Sequence, residues 1–174
     1  MPTTMTCPRC WGAPIRCALC NGDRKMLDMQ LTPNFQLSEF LRSETAARKR
    51  IANDPTDQIR GNLRRLAQSL EVVRGYFGPV FVSSGYRSPE LNKEIGGAET
   101  SLHCFGLAVD FNVAKVSPSD VIRWIGENMP KFDEAIDEPG WAHLGLATPD
   151  GQQRKRLLTM RPDKSGKAKY TKFV

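Results

Sequence analysis

The spacing of apolar residues along the chain changes period several times, and each change marks a predicted element. From about Pro33 a short amphipathic segment, Leu37 to Ala47, sets Leu37, Phe40 and Leu41 on one face of a helix. A longer helix follows in NDPTDQIRGNLRRLAQSLEVVRGYF, where Ile59, Leu63, Leu66, Leu70 and Val73 recur at helical spacing. Asp54 is its expected N-cap, with Pro55 at the first helical position. The pattern then turns to that of strands. Val80, Phe81 and Val82 form a β-branched and aromatic run closed by Ser83, Ser84 and Gly85, and Leu107 to Val113 (LAVDFNV) reads as a second strand. Between them, Pro89, Gly96 and Gly97 predict turns. A helix beginning near Ser117 presents Val121, Ile122, Trp124 and Ile125 as its apolar face. Two extended segments, around Phe132 to Ile136 and Trp141 to Leu146, flank the turn signal Pro139-Gly140, and a last one runs through Leu157 to Met160. Helices first, then strands with one intervening helix, predict an α+β domain over residues 33–160, with a mostly antiparallel sheet and flanking helices.

Length and composition narrow this reading. A chain of 174 residues holds one ordinary domain and a small appendage, and 40% hydrophobic with 25% charged residues is the balance of a globular protein without a membrane span. The formal charge of +6 and a pI near 9.2 favour anionic partners such as nucleic acid, phospholipid head groups or cell-wall polymers, without choosing among them. Much of the excess lies in Arg154, Lys155, Arg156, Arg161, Lys164, Lys167, Lys169 and Lys172. Residues 161–174 are therefore expected to be a solvated, partly mobile basic tail. The opening residues, MPTTMTCPRC, carry neither a basic region leading into an apolar stretch nor a small-residue cleavage site, so synthesis and folding in a cytoplasm are expected.

Residues 1–28 hold four of the five cysteines and little that could build a core. Cys7, Cys10, Cys17 and Cys20 form C-x2-C-x6-C-x2-C, a pair of knuckles able to place four thiolates around one zinc. A closed four-sulfur site of this kind is structural. Disulfides are the competing reading, disfavoured by the cytoplasmic expectation and the close pairs. The halves CPRCWG and CALCNG resemble the CxxCxG units of DnaJ-type zinc modules. Cys104, the fifth cysteine, is expected to be a small buried side chain rather than a nucleophile or ligand.

The chain has only two histidines, His103 and His143, and both fall in segments that read as strand-like. Asp110 lies seven residues after His103, too far for one helical face, but a loop through Gly106 could fold the imidazole back toward the carboxylate. Two imidazoles and a carboxylate would supply three protein ligands and leave a fourth position for water, the pattern of catalytic rather than structural zinc. Spacing alone leaves open that these are ordinary polar residues.

The surrounding residues add a resemblance. SGYRSPELNKEIGG, SLHCFGLAVDF and IDEPGWAHLG resemble the M15 family of zinc peptidases that act on bacterial peptidoglycan, in particular the phage-type branch with D-alanyl-D-alanine-carboxypeptidase-like domains. Ser83 to Ser88, Leu91, Asn92, Gly96, Gly97, Ser101, His103, Gly106, Ala108, Asp110, Trp141 and His143 fall at the family's positions, and the resemblance extends from about Asn34 to Met160. It implies a hedgehog/D-Ala-D-Ala-peptidase-like fold with a catalytic zinc on His103, Asp110 and His143. It also implies that Arg87 holds a substrate carboxylate or the developing oxyanion. Several branches place the general base three residues before the last histidine, where this chain has Gly140. Glu138 is therefore the favoured base and Asp137 its alternative.

The function implied is that of a phage endolysin-like peptidase, which accumulates in the host cytoplasm and is released to cleave wall stem peptides or cross-links. Its partners would be the peptide stems of peptidoglycan and the anionic cell envelope. Two other readings are a D-Ala-D-Ala carboxypeptidase of wall modification and a non-catalytic zinc-binding virion or structural protein. A nucleic-acid binder using the cysteine knob and basic tail is disfavoured.

Overall fold

A computed structural model describes residues 29–149 and 151–174. The expected zinc knob of residues 1–28, with Cys7, Cys10, Cys17 and Cys20, lies outside the described residues. A small antiparallel pair, β1 (Gln30–Thr32) and β2 (Phe35–Gln36), leads into α1 (Leu37–Leu41) and α2 (Glu44–Lys49). These two short helices stand where one amphipathic helix was expected. Arg42 adopts an extended backbone after α1, and the Ser43 hydroxyl accepts from the Ala46 amide, capping a new helix. The long helix α3 (Asp57–Phe77) begins later than predicted: Thr56, rather than Asp54, is its N-cap, and its hydroxyl accepts from the Ile59 amide. Its stripe of Leu63, Leu66, Ala67, Leu70 and Val73 is fully buried. Each such Leu or Val contributes about 1.5–3 kcal/mol.

The chain continues through β3 (Val80–Ser84), α4 (Pro89–Glu94), a 3-10 turn (Leu102–Phe105), β4 (Ala108–Val113), α5 (Pro118–Asn128), β5 (Glu134–Glu138), β6 (Trp141–Gly145), β7 (Arg156–Pro162) and β8 (Ala168–Lys172). Helix α5 begins near Ser117 as expected, and the Ser117 hydroxyl caps it by accepting from the Asp120 amide. Helix α4 falls in the stretch expected to hold only turns. The 3-10 turn is a further correction, because His103 sits in it and not in a strand-like segment.

Among the described residues, six strands form one sheet in the order β3-β4-β6-β5-β7-β8. Every pair is antiparallel except β5 with β7, so the fold is α+β with a mixed, mostly antiparallel sheet and flanking helices. Alternation gives the sheet two faces. Val82, Val109, Phe111, Ala135, Ala142 and Leu144 join the buried stripes of α3 and α5 in one core. Asp110, His143, Ile136, Glu134 and Glu138 point the other way, into a cleft.

The expected boundary at residue 160 and the mobile basic tail beyond it do not match the structure. Residues 161–174 complete β7 and form β8, continuing the same sheet. The turn between them is built on Asp163, whose carboxylate accepts from the Ser165 amide and hydroxyl and from the Lys167 amide, with Gly166 at φ 83°. Charge in this segment covers a solvent-facing hairpin. No helix among the described residues is long and apolar enough to cross a membrane.

Candidate metal centre and active-site cleft

Strand register assembles the centre. Asp110 on β4 pairs across to His143 on β6, and His143 pairs across to Ile136 on β5, so the two functional side chains rise side by side from adjacent strands. His103 reaches them from the 3-10 turn. That turn ends at Gly106, whose φ of 63° turns the chain sharply into β4. A side chain at Gly106 would also meet Ile59 of α3 at 2.8 Å. The loop expected to fold His103 back onto Asp110 is therefore present, and it is set by packing against α3.

One donor atom each from His103, Asp110 and His143 lies within 4.8 Å of the others, and all three residues are buried. Their outer partners fix which atoms face inward. The Nδ1 of His103 lies 2.6 Å from the Gly85 carbonyl oxygen. A carbonyl only accepts, so Nδ1 carries the proton and Nε2 presents a lone pair 3.4 Å from Asp110 Oδ1. Arg87 donates from Nη2 to Asp110 Oδ2 at 2.8 Å and from Nε to Ser84 Oγ at 3.0 Å, leaving Oδ1 turned toward both imidazoles. His143 Nδ1 is 2.7 Å from that same Oδ1, and its Nε2 is 3.7 Å from Glu134 Oε1. Partners on the far side of each ligand are what orients metal-binding imidazoles and carboxylates.

The charges follow from these contacts. Burial holds the His103 imidazole below its ordinary value, against the pull of Asp110, so it is neutral. Burial also opposes ionisation of Asp110, but the two imidazoles overcome it and hold the carboxyl far below the usual carboxylate range. For His143, burial acts downward, while hydrogen bonds to Asp110 and Glu134 win and raise it to about 9. His143 is therefore protonated at neutral pH, with Nδ1 facing Asp110 Oδ1. A cation bound there would replace the proton.

The motif around Ser83 to Ser88 has a local explanation. Gly85 approaches α1 so closely that a Cβ would stand 2.5 Å from the Phe40 carbonyl oxygen, and the next amide, of Tyr86, donates to that oxygen. The same approach delivers the Gly85 carbonyl to His103. Ser88 caps α4, and Asn92 on α4 donates to the Ala98 carbonyl, holding the loop that carries Gly96 and Gly97 along the cleft.

The cleft has a volume of about 950 Å³, with Arg87, His103, Asp110, His143, Glu138 and Trp141 among its lining. Glu138 stands on the same face as His143, at the end of β5 before the Pro139-Gly140 turn. Burial and the neighbouring Asp110 charge raise its pKa. Asp137 points to the opposite face, where it accepts from Ser119 and from Arg161 Nη2 at 2.7 Å. As an alternative base Asp137 is therefore turned away from the site. Glu134, which contacts His143 and Arg156, was missed by the sequence reasoning. The alternation of EAIDE opposite WAHLG carried the signal, since a two-residue turn sets Glu134, Ile136 and Glu138 on the face of His143. Cys104 is half-buried beside His103 and is not part of the cluster that could hold a metal.

The family model described as Peptidase M15 matches residues 33–144, more than half of the chain. No curated protein matches the chain.

Proposed function

The chain belongs to the peptidase M15 family, and on that premise we propose that it is a zinc-dependent peptidoglycan peptidase, endolysin-like, hydrolysing an amide bond in wall stem peptides or their cross-links. The observation that carries this reading is the convergence of His103 Nε2, Asp110 Oδ1 and His143 Nδ1, each backed by its own outer partner, at the floor of an open cleft. Two imidazoles and one carboxylate are a donor set suited to catalytic zinc. When bound, zinc would supply Lewis-acid polarisation of the scissile carbonyl and a water acidic enough to react near neutral pH.

The residues of the chain do the rest. Glu138 takes the proton released by the attacking water and returns it to the leaving amine. Its raised pKa suits it to this exchange better than an exposed carboxylate. Arg87 uses two of its donors on Ser84 and Asp110, and its remaining N–H groups are available to the negative charge that develops on the carbonyl oxygen. The positive net charge assists approach to an anionic envelope. Cys7, Cys10, Cys17 and Cys20 would hold a second, structural zinc.

The test combines metal analysis with lysis. Purified full chain should contain zinc that is lost in His103→Ala or His143→Ala, and a separate zinc that is lost on substituting the cysteines. Turbidity of outer-membrane-permeabilised cells should fall with wild type but not with His143→Ala or Glu138→Ala. Equal lysis by all three would refute the peptidase assignment. Release of terminal D-alanine alone from purified muropeptides would instead mark a carboxypeptidase.

A further inference from the structure

The cleft has one wall that lies beyond the family-matched residues 33–144. Arg154, Arg156, Lys167, Ala168 and Tyr170 line it, and all but Arg154 come from the β7–β8 hairpin and its turn. The hairpin is held firmly against the catalytic strands. β7 pairs in parallel with β5, Arg161 binds both the side chain and the carbonyl of Asp137, and Arg156 binds Glu134, the outer partner of His143.

The cationic groups on this wall are not equivalent. Arg154 is engaged by Asp133 through two nitrogens, and Arg156 by Glu134, so both are already neutralised. Lys167 has no ion pair among the described residues, and its backbone is fixed by the Asp163 turn, its amide donating to Asp163 Oδ1 and its carbonyl accepting from the Asp163 amide. Tyr170 is a large, half-exposed ring on β8. Burial raises the pKa of its hydroxyl, and so do the charges of Glu138, Glu134 and Asp110, which places it electrostatically within reach of the catalytic carboxylates. An unpaired ammonium and an exposed aromatic ring on one preorganised wall suit an extended peptide that carries a carboxylate.

Resting on the peptidase reading above, we infer that the β7–β8 hairpin is the specificity wall of the cleft, where Lys167 receives a free carboxylate of the bound peptide and Tyr170 packs against its backbone. The ion pair is solvent-facing, so its effect is a modest preference that weakens with salt.

The experiment measures peptide binding by calorimetry on zinc-loaded full chain carrying Glu138→Gln, to slow turnover, at low ionic strength. The probes are peptidoglycan stem peptides with free carboxylates and the same peptides with those carboxylates amidated. The expected result is about three- to fivefold tighter binding of the carboxylate form, a ratio near one in Lys167→Ala, and recovery of the preference in Lys167→Arg. Equal affinity for both peptides, a preference that survives Lys167→Ala, or no binding of either peptide would overturn the inference. Hydrolysis by the chain with Glu138 intact is followed in parallel. Cleavage without the preference removes the specificity wall and leaves the peptidase standing. A Lys167-dependent preference without cleavage upholds the wall and removes the peptidase.

Discussion

A proton held on His143 beside Asp110 would have to leave before a metal could bind at this site. With His143 raised to about 9 and His103 held low, the chain carries one imidazolium here at neutral pH, and a bound zinc would displace its proton. Apparent zinc affinity should therefore rise with pH, by about tenfold per unit, and level off near pH 9. Chelator competition across pH 6 to 9 checks this, and a flat profile would contradict it. The two cleft glutamates should separate by role. Glu138→Gln is expected to retain zinc and lose about 10²–10⁴-fold in turnover, read from initial rates and metal content. Glu134→Gln leaves His143 Nε2 facing a neutral amide and should weaken zinc binding by about 10–100-fold, measured by the same competition. The placement of these side chains was only partly legible in the sequence. Scarcity of histidine pointed to His103 and His143, whereas Glu134 looked like any charged strand residue until register set it behind His143.

At the scale of elements, the centre depends on close backbone approaches that side-chain chemistry does not advertise. Gly85 lies against Phe40 of α1 while its carbonyl holds His103. Gly85→Ala should destabilise the fold by about 1–3 kcal/mol, as in other overpacked sites, and lower zinc occupancy as well. Thermal unfolding with metal analysis tests both; loss of stability with full zinc retention would uncouple them. The strands of the site were readable because β-branched and aromatic runs end at strong turn signals, and the Pro139-Gly140 turn even determines which residues face each other across β5 and β6. The 3-10 turn of His103 was not readable. Its four residues are too few to show a period, and its conformation is set by the docking of Gly106 on α3 and of Phe105, whose carbonyl accepts from Asn62.

For the whole molecule, the consequence of most weight is that the basic C-terminal segment belongs to the sheet. Removing residues 156–174 would strip β5 of its parallel neighbour, leave Asp137 without Arg161, and expose a new strand edge. The truncated chain is expected to melt at lower temperature and to associate in size-exclusion chromatography, while the full chain does not. An unchanged melting temperature would mean that the hairpin is only a surface addition. The tail reading failed because a lysine-rich run looks the same on a solvated coil and on an exposed hairpin. What separates the two is the Asp163 turn together with the pairing of Leu158 with Lys172 and of β7 with β5, and these pairings are non-local in the sequence.

By itself, the order of residues determined the α+β class, the helical stripes and most strands, and its two histidines, read with a family resemblance, pointed to His103, Asp110 and His143, since apolar period, turn residues and rare histidines are local properties of a chain. Tertiary structure alone decided which oxygen and nitrogen atoms face inward, that His103 reaches the site from a turn docked on α3, and that the last residues wall the site. Each of these depends on strand register and on contacts between distant segments, and such contacts exist only once the sheet has formed.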